Sequence, residues 1–327
     1  SLHDALPICV PDSAVCNEAV KLAVKKGFGT LRGFVNGVLR NVARGLDQVE
    51  YPAEGIERLS VVYSMPEWIL KLWKKTYDLD VIESMLQAFQ EETPVTIRCN
   101  LAKTTPENLK ESLQKEGVTV TPHPYLSYAF WIQDYDHLSE LESFQKGAFY
   151  VQDISSMLVG ELADPKKGDR VIDVCAAPGG KALHVAEKLR GTGSVEARDL
   201  SLYKVGLITE NIERSGLTNI HAVQKDATVC DADVKDAADL VIADLPCSGL
   251  GVLAKKTDLK YKATEQGTKE LAGLQREILK NAASYVRPGG TLIYSTCTIN
   301  PAENIENVHW FLKEFPEFVL DPIADRL

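Results

Sequence analysis

Val171-Ile172-Asp173-Val174-Cys175-Ala176-Ala177-Pro178-Gly179-Gly180-Lys181 decides the fold. A β-branched apolar run closes on an Asp, and small residues then carry the chain to Lys181. That is a strand followed by a tight glycine turn, where ligands sit in open α/β sheets. The texture continues downstream. Strand candidates lie at Arg170–Val174, Ser194–Ala197, Ile220–Gln224, Leu240–Ala243 and Thr291–Tyr294. Helix candidates fall between them at Lys181–Leu189, Leu202–Ser215 and Thr268–Val286. Strands alternating with helices predict α/β architecture with a doubly wound parallel sheet. The turn is neither a G-x-G-x-x-G nor a Walker loop, because no Ser or Thr follows Lys181. Its small residues let backbone approach a ligand at a helix N-terminus; a plain βα turn is the alternative.

Acids and thiols follow the later strands. Asp199 comes after the second and Asp226 after the third. Each can accept hydrogen bonds from a ribose diol or an adenine amino group, and an adenosyl cofactor carries both. Asp244-Leu245-Pro246-Cys247 and Ser295-Thr296-Cys297-Thr298 each set a cysteine just past an apolar run. A thiolate adds well to an activated ring carbon. Cytosine carbon 6 is such a carbon once N3 is hydrogen-bonded or protonated. Addition makes carbon 5 rich enough to take a methyl group from a sulfonium donor. A base must then remove the carbon-5 proton so that the thiol can leave. The scheme needs a nucleophilic Cys, an acid at N3 and a second group for release. Cys297, Asp244 and Cys247 supply those types. Cys9, Cys16, Cys99, Cys175 and Cys230 read as small buried hydrophobes. The pattern points to covalent chemistry on carbon rather than to metal or disulfide chemistry.

With 327 residues the chain exceeds one ordinary domain. At 45% hydrophobic and 25% charged it has a soluble globular profile. No apolar run approaches the roughly 18 residues of a membrane span, and Ser1 to Val10 lacks the order of a secretory signal. Seven cysteines at irregular spacing argue against a disulfide framework and for a reducing cytoplasm. Without a Cys-x-x-Cys or Cys/His cluster, no metal is expected. A net charge of −10 argues against nucleic acid. Local basic runs argue the other way: Lys21, Lys25, Lys26, Arg32, Arg40 and Arg44 early, then Lys255, Lys256, Lys260 and Lys262 directly after Cys247. Each run also fits a merely solvated surface.

Residues 12–45 read as helices, with Ala14, Val15, Ala19, Val20, Leu22 and Ala23 on one face and Phe34, Val35, Val38 and Leu39 on another. They are too few to bury a core alone, and Ser1 to Ile8 does not continue their pattern. Residues 46–65 read as a linker. Glu67 to Gln90 reads as two helices, Thr93 to Asn100 as a strand, and Pro106 to Glu116 as a helix stopped at Gly117. Short strands are expected before Gly147. This gives a small α+β domain.

Taken together, Asp173-to-Lys181, Asp244-to-Gly249, and Tyr294-to-Thr298 followed by Asn300-Pro301-Ala302-Glu303-Asn304 resemble the RNA cytosine-C5 methyltransferases of the nucleolar-protein/Sun group. The resemblance implies a Rossmann-like domain using S-adenosylmethionine. It implies cofactor contacts at Cys175, Ala176, Ala177, Pro178, Gly179, Gly180, Lys181, Asp199, Asp226 and Asp244. It also implies that Cys297 attacks and Cys247 assists release. Val15-to-Val20 with Gly33-to-Arg40 is similar to the end of a NusB-like RNA-binding domain. Within the group, that points to the branch methylating one cytosine of bacterial 16S ribosomal RNA. The expected layout is a NusB-like remnant at 1–48, linker, helices and an RRM-like α+β domain at 49–146, and the methyltransferase domain at 147–327. Truncation is expected at both ends. RNA is the expected partner, through Lys255, Lys256, Lys260 and Lys262, with no DNA and no membrane, and the chain is expected to be a monomer. The alternatives are a tRNA cytosine-C5 methyltransferase, a non-catalytic RNA-binding assembly factor, and a DNA methyltransferase, the last opposed by Cys297.

Overall fold

The computed structural model describes residues 11–323 apart from Glu92. The segment Ser1 to Ile8 lies outside them. The chain forms two compact units that divide after Ala88.

In the first unit, α1 (Asp12–Lys25) and α2 (Arg32–Gly45) pair through the Gly29–Leu31 turn. Cys16 is buried, but Leu22, Phe34 and Val38 remain exposed. The two helices therefore bury the apolar faces they carry only in part. Next come α3 (Gly55–Val62), α4 (Glu67–Trp73) and α5 (Leu79–Ala88). Helix α3 corrects the reading of 46–65 as linker. Ile56, Leu59 and Tyr63 stand at helical spacing, and Leu59 is buried. Arg58 and Tyr63 both bond Glu83 Oε1, at 2.8 and 3.0 Å, which ties α3 to α5.

The second unit opens with a four-stranded antiparallel sheet. Its elements are β1 (Val95–Cys99), α6 (Pro106–Lys115), β2 (Thr119–Pro122), β3 (Ala129–Gln133), α7 (Glu142–Gln145) and β4 (Phe149–Val151), in strand order β2-β3-β1-β4. Thr105 caps α6 with its side chain, and Pro106 fills the first turn. The parallel part follows: α8 (Ile154–Ala163), β5 (Arg170–Asp173), α9 (Gly180–Lys188), β6 (Ser194–Asp199), α10 (Leu202–Ser215), β7 (Ile220–Gln224), β8 (Ala238–Asp244), α11 (Leu259–Lys262), α12 (Glu265–Tyr285), β9 (Val286–Ser295) and α13 (Ile305–Glu314). All strand pairs are parallel, in order β7-β6-β5-β8-β9. This is the doubly wound Rossmann-like fold. Apolar clusters cover the sheet, with Val171, Val195 and Ile208 in one and Ile172, Val241 and Ile278 in the other.

Two features place the site. The chain reverses winding between β5 and β8, so the crevice at their carboxyl ends is the switch point where such sheets bind ligands. The last strand is also longer than its Thr291–Tyr294 core. It pairs at Val286 with Ala238 and again from Thr291 with Leu240, and residues 287–290 form the irregularity between them. An edge strand tolerates Pro because one side needs no ladder donor.

The antiparallel sheet is fixed to α9 by Arg98, which is fully buried. Its guanidinium bonds Gln152 Oε1 at 2.8 Å and Glu187 Oε1 at 3.0 Å and lies 4.3 Å from the Tyr150 ring centre. Removing one partner of such a pair costs about 3–5 kcal/mol, because the other charge stays buried.

Candidate active site

The β5 turn builds the first wall. Gly179 has φ +106°, a conformation that favours glycine, and α9 starts at the next residue. Asp173 ends β5 fully buried, and Cys175 N donates to its Oδ1 at 3.3 Å. Oδ2 has no protein partner. Burial, then the nearby Asp244 carboxylate, pushes the Asp173 carboxyl up to about 7. Burial also pushes the Cys175 thiol up to about 12. Cys175 therefore contributes backbone to the turn, not a thiolate.

Asp199 ends β6 and is almost wholly buried. Its carboxylate accepts from Ala177 N at 3.1 Å and Leu200 N at 2.8 Å, with Lys204 Nζ 3.3 Å away. It thus pins the β5 turn to the neighbouring strand end. Asp226 is exposed after β7, and its Oδ1 holds Thr228 through N and Oγ1. Those bonds place its carboxyl below the usual range. Asp244 ends β8, where Oδ2 meets Lys181 Nζ at 2.5 Å and Oδ1 accepts from Ser295 Oγ at 2.7 Å. A cofactor with a ribose diol, an amino acid end and an amine suits this wall. Carboxylates supply acceptors, and the turn supplies backbone at close range.

The two sulfurs stand beside that wall. Cys247 Sγ lies 3.2 Å from Cys297 Sγ, and Cys297 N donates to Cys247 Sγ at 3.3 Å. Their loops are joined in the same way as the strands. Leu245 N bonds Ser295 O, and Gly251 N bonds Cys297 O, each at 3.1 Å. A Cβ on Gly251 would meet Cys297 O at 2.9 Å, so glycine alone permits this approach. Cys297 is exposed and Cys247 half-buried. The hydrogen bond from Cys247 lowers the Cys297 thiol to about 7, with Lys256 and Lys181 helping and burial and Asp244 opposing. The same contact, then burial, drives the Cys247 thiol upward. One thiolate is stabilised, and it is the one facing solvent.

A buried polar network sits behind both loops. Glu303 is fully buried. It accepts from Ser248 N at 2.8 Å, Ser248 Oγ at 2.6 Å, Gln275 Nε2 at 3.2 Å and Asn300 Nδ2 at 2.9 Å. Ser248 Oγ is also 2.8 Å from Thr298 Oγ1. One carboxylate therefore anchors the residue after Cys247, whose hydroxyl in turn touches the residue after Cys297. In the sequence Glu303 is visible only as one letter of its motif, with no task attached. A turn residue has no periodicity, and only the fold shows what it touches.

The lysines divide. Lys255 is paired with Asp153, and Lys262 with Asp258 at 2.5 Å. Lys260 Nζ lies 5.2 Å from the Tyr261 ring centre. Lys256 acts on Cys297. Among the described residues no three His, Cys, Asp or Glu side chains gather as a metal site, and no helix is long and apolar enough to cross a membrane. A groove of about 1330 Å³ along β9 and α13 contains neither cysteine nor the glycine turn.

Known proteins resemble this chain over most of its length. The family model for 16S rRNA methyltransferase RsmB/F matches residues 161–326. The chain belongs to the RsmB/F methyltransferase family. Two further models match, a ferredoxin-like domain of the same proteins at 65–135 and the NusB family at 6–44. One relative is the probable ribosomal RNA small subunit methyltransferase B of Bacillus subtilis, 37% identical over 95% of this chain and 70% of its own. The crystal structure of PH0851 superposes with a TM-score of 0.85 at 28% identity, covering 97% of this chain and 71% of that one. NSun6 from Pyrococcus horikoshii, solved with SFG, an S-adenosylmethionine analogue, superposes at 0.69 with 26% identity, covering 75% and 86%. As an RsmB/F methyltransferase, this protein uses S-adenosyl-L-methionine.

Proposed function

We propose that this RsmB/F protein methylates carbon 5 of one cytosine in bacterial 16S ribosomal RNA, through a covalent bond from Cys297 to carbon 6. The observation that carries the reading is the pair of sulfurs 3.2 Å apart at adjacent strand ends, one of them exposed. The ribosomal substrate is supported by the B. subtilis relative, whose name specifies the small subunit RNA, and by the NusB match.

The Cys297 thiolate adds to carbon 6, and the Lys181–Asp244 pair faces the N3 edge. Asp244 is held by Lys181. Its task is to hold a proton at N3, where positive character draws electron density from carbon 6. Bound S-adenosylmethionine supplies an electrophilic methyl group on a sulfonium. Cys175 to Lys181, Asp199, Asp226 and Asp244 hold it. Cys247 serves release: the carbon-5 proton passes to water as the carbon-6–sulfur bond breaks, and the Cys247 sulfur, 3.2 Å away, is in contact with the departing Cys297 thiolate. Lys256 contacts RNA phosphate near the cysteines. Lys255, Lys260 and Lys262 are further contacts, and Lys255 and Lys262 must first leave their carboxylates. The target must be out of its stack to meet Cys297, which favours an unpaired loop.

Mass spectrometry of RNA from cells lacking the protein tests the reading. Loss of one 5-methylcytosine from 16S rRNA is expected. Loss from tRNA alone would reassign the substrate, and unchanged 5-methylcytosine in both would overturn the reaction.

A further inference from the structure

We propose that Cys247 and Cys297 form a reversible oxidation site, which a hydroperoxide converts to a disulfide that stops the thiol chemistry and leaves cofactor binding intact. The sulfurs stand 3.2 Å apart. A disulfide bond is about 2.05 Å long, so the gap closes by roughly 1.2 Å shared between two loops. Both residues lie past the ends of their strands, in loops that the Gly251 N to Cys297 O bond holds side by side. Cys297 faces solvent, and Cys247 stands directly behind it.

No other described cysteine combines these features. Cys16 and Cys99 are buried. Cys230 is exposed, but its sulfur neighbours the Ser284 hydroxyl at 3.8 Å. Oxidant-sensitive sites pair an accessible, thiolate-rich sulfur with a second thiol that resolves the first product. At a thiol value of about 7, Cys297 is about half ionised at neutral pH, against a few per cent for an ordinary cysteine.

The chemistry balances in two steps. The Cys297 thiolate attacks the terminal oxygen of the hydroperoxide. The O–O bond breaks, the alkoxide leaves and takes a proton from water, and Cys297 becomes a sulfenic acid. Cys247 sulfur then attacks Cys297 sulfur. The S–O bond breaks, and the hydroxide leaves as water with the Cys247 proton. Two thiols have lost two electrons, and the hydroperoxide has been reduced to an alcohol, or to water when it is hydrogen peroxide. A dithiol reverses this by two exchanges. The cofactor wall takes no part, because the Lys181–Asp244 pair and the Asp199 bonds to the β5 turn involve neither sulfur.

The test treats the whole chain with hydrogen peroxide, blocks free thiols and maps the peptides by mass spectrometry. A cross-link between the Cys247 and Cys297 peptides is expected, released by dithiothreitol. S-adenosylhomocysteine binding should be unchanged. RNA methylation should fall as the cross-link forms and return with dithiothreitol. Cys230→Ser should cross-link as the natural chain does. Cys247→Ser should instead carry Cys297 on to a sulfinic acid that dithiothreitol does not restore. Sulfinic Cys297 without cross-link in the natural chain would overturn the proposal, as would thiols left intact at a dose that oxidises Cys230. The cross-link is read without any methylation assay, so failure of the carbon-5 reading leaves this test standing.

Discussion

At Cys297 the thiol is tuned chiefly by one neighbour, with two lysines assisting. The Cys247 sulfur stands 3.2 Å from the Cys297 sulfur, and that contact is the largest influence lowering the Cys297 thiol. Alkylation of Cys297 by iodoacetamide should therefore rise with pH through a midpoint near 7. In Cys247→Ala that contact is gone, and the midpoint should move up towards the ordinary thiol value of about 8.5. A midpoint unmoved by that change would mean the lysines alone tune the thiol. The two acids proposed to hold the cofactor differ in a way their spacing did not reveal. Asp199 is buried and pins the β5 turn, whereas Asp226 is exposed and holds only its own loop at Thr228. Losing a charge-assisted hydrogen bond costs about 1.5–3 kcal/mol, roughly ten- to a hundredfold in affinity. Calorimetry with S-adenosylhomocysteine should show at least that loss for Asp199→Ala and a smaller one for Asp226→Ala. Equal binding by both variants and the natural chain would remove these residues from the cofactor site.

At the scale of elements, the parallel sheet was legible because its strands are short β-branched runs with amphipathic helices between them. The strand Ile220–Gln224 and the helix Leu202–Ser215 lie where pattern placed them. Helix α3 was missed because a Pro and few apolar residues precede it, and eight residues give little period to read. The site was legible as far as its motifs reach: both cysteines, Asp244 and the glycine turn. What joins the loops was not legible, since Glu303, Gln275 and Gly251 act through tertiary contacts. Their worth can be measured. Glu303→Ala leaves Ser248, Gln275 and Asn300 donors without an acceptor, and each buried orphan costs about 1–3 kcal/mol. At about 2–4 °C per kcal/mol for a unit of this size, melting should fall by several degrees. Gly251→Ala should instead displace the Cys297 carbonyl and weaken adduct formation more than stability. Methylation unaffected by Gly251→Ala would show that the loop yields without moving the sulfur.

At the scale of the molecule, a chain of net charge −10 must bind RNA through local basic groups. Lys255 and Lys262 already hold carboxylates, while Lys256 is close enough to Cys297 to help lower its thiol. Lys256→Ala should therefore weaken RNA binding more than Lys262→Ala. It should flatten the salt dependence by roughly 0.7–0.9 slope units for each phosphate it no longer neutralises. Equal slopes for the two variants would place the RNA elsewhere. The domains ahead of the methyltransferase, matched as NusB and ferredoxin-like, belong to the same binding question. The central claim is the division of labour between the two thiols. It is tested most directly by incubating Cys247→Ala and Cys297→Ala with 16S rRNA and S-adenosylmethionine and resolving the products on a denaturing gel. The expected result is a covalent protein–RNA band with Cys247→Ala, where attack survives and release fails, and no band with Cys297→Ala. A band with Cys297→Ala and none with Cys247→Ala would reverse the assignment of the two cysteines.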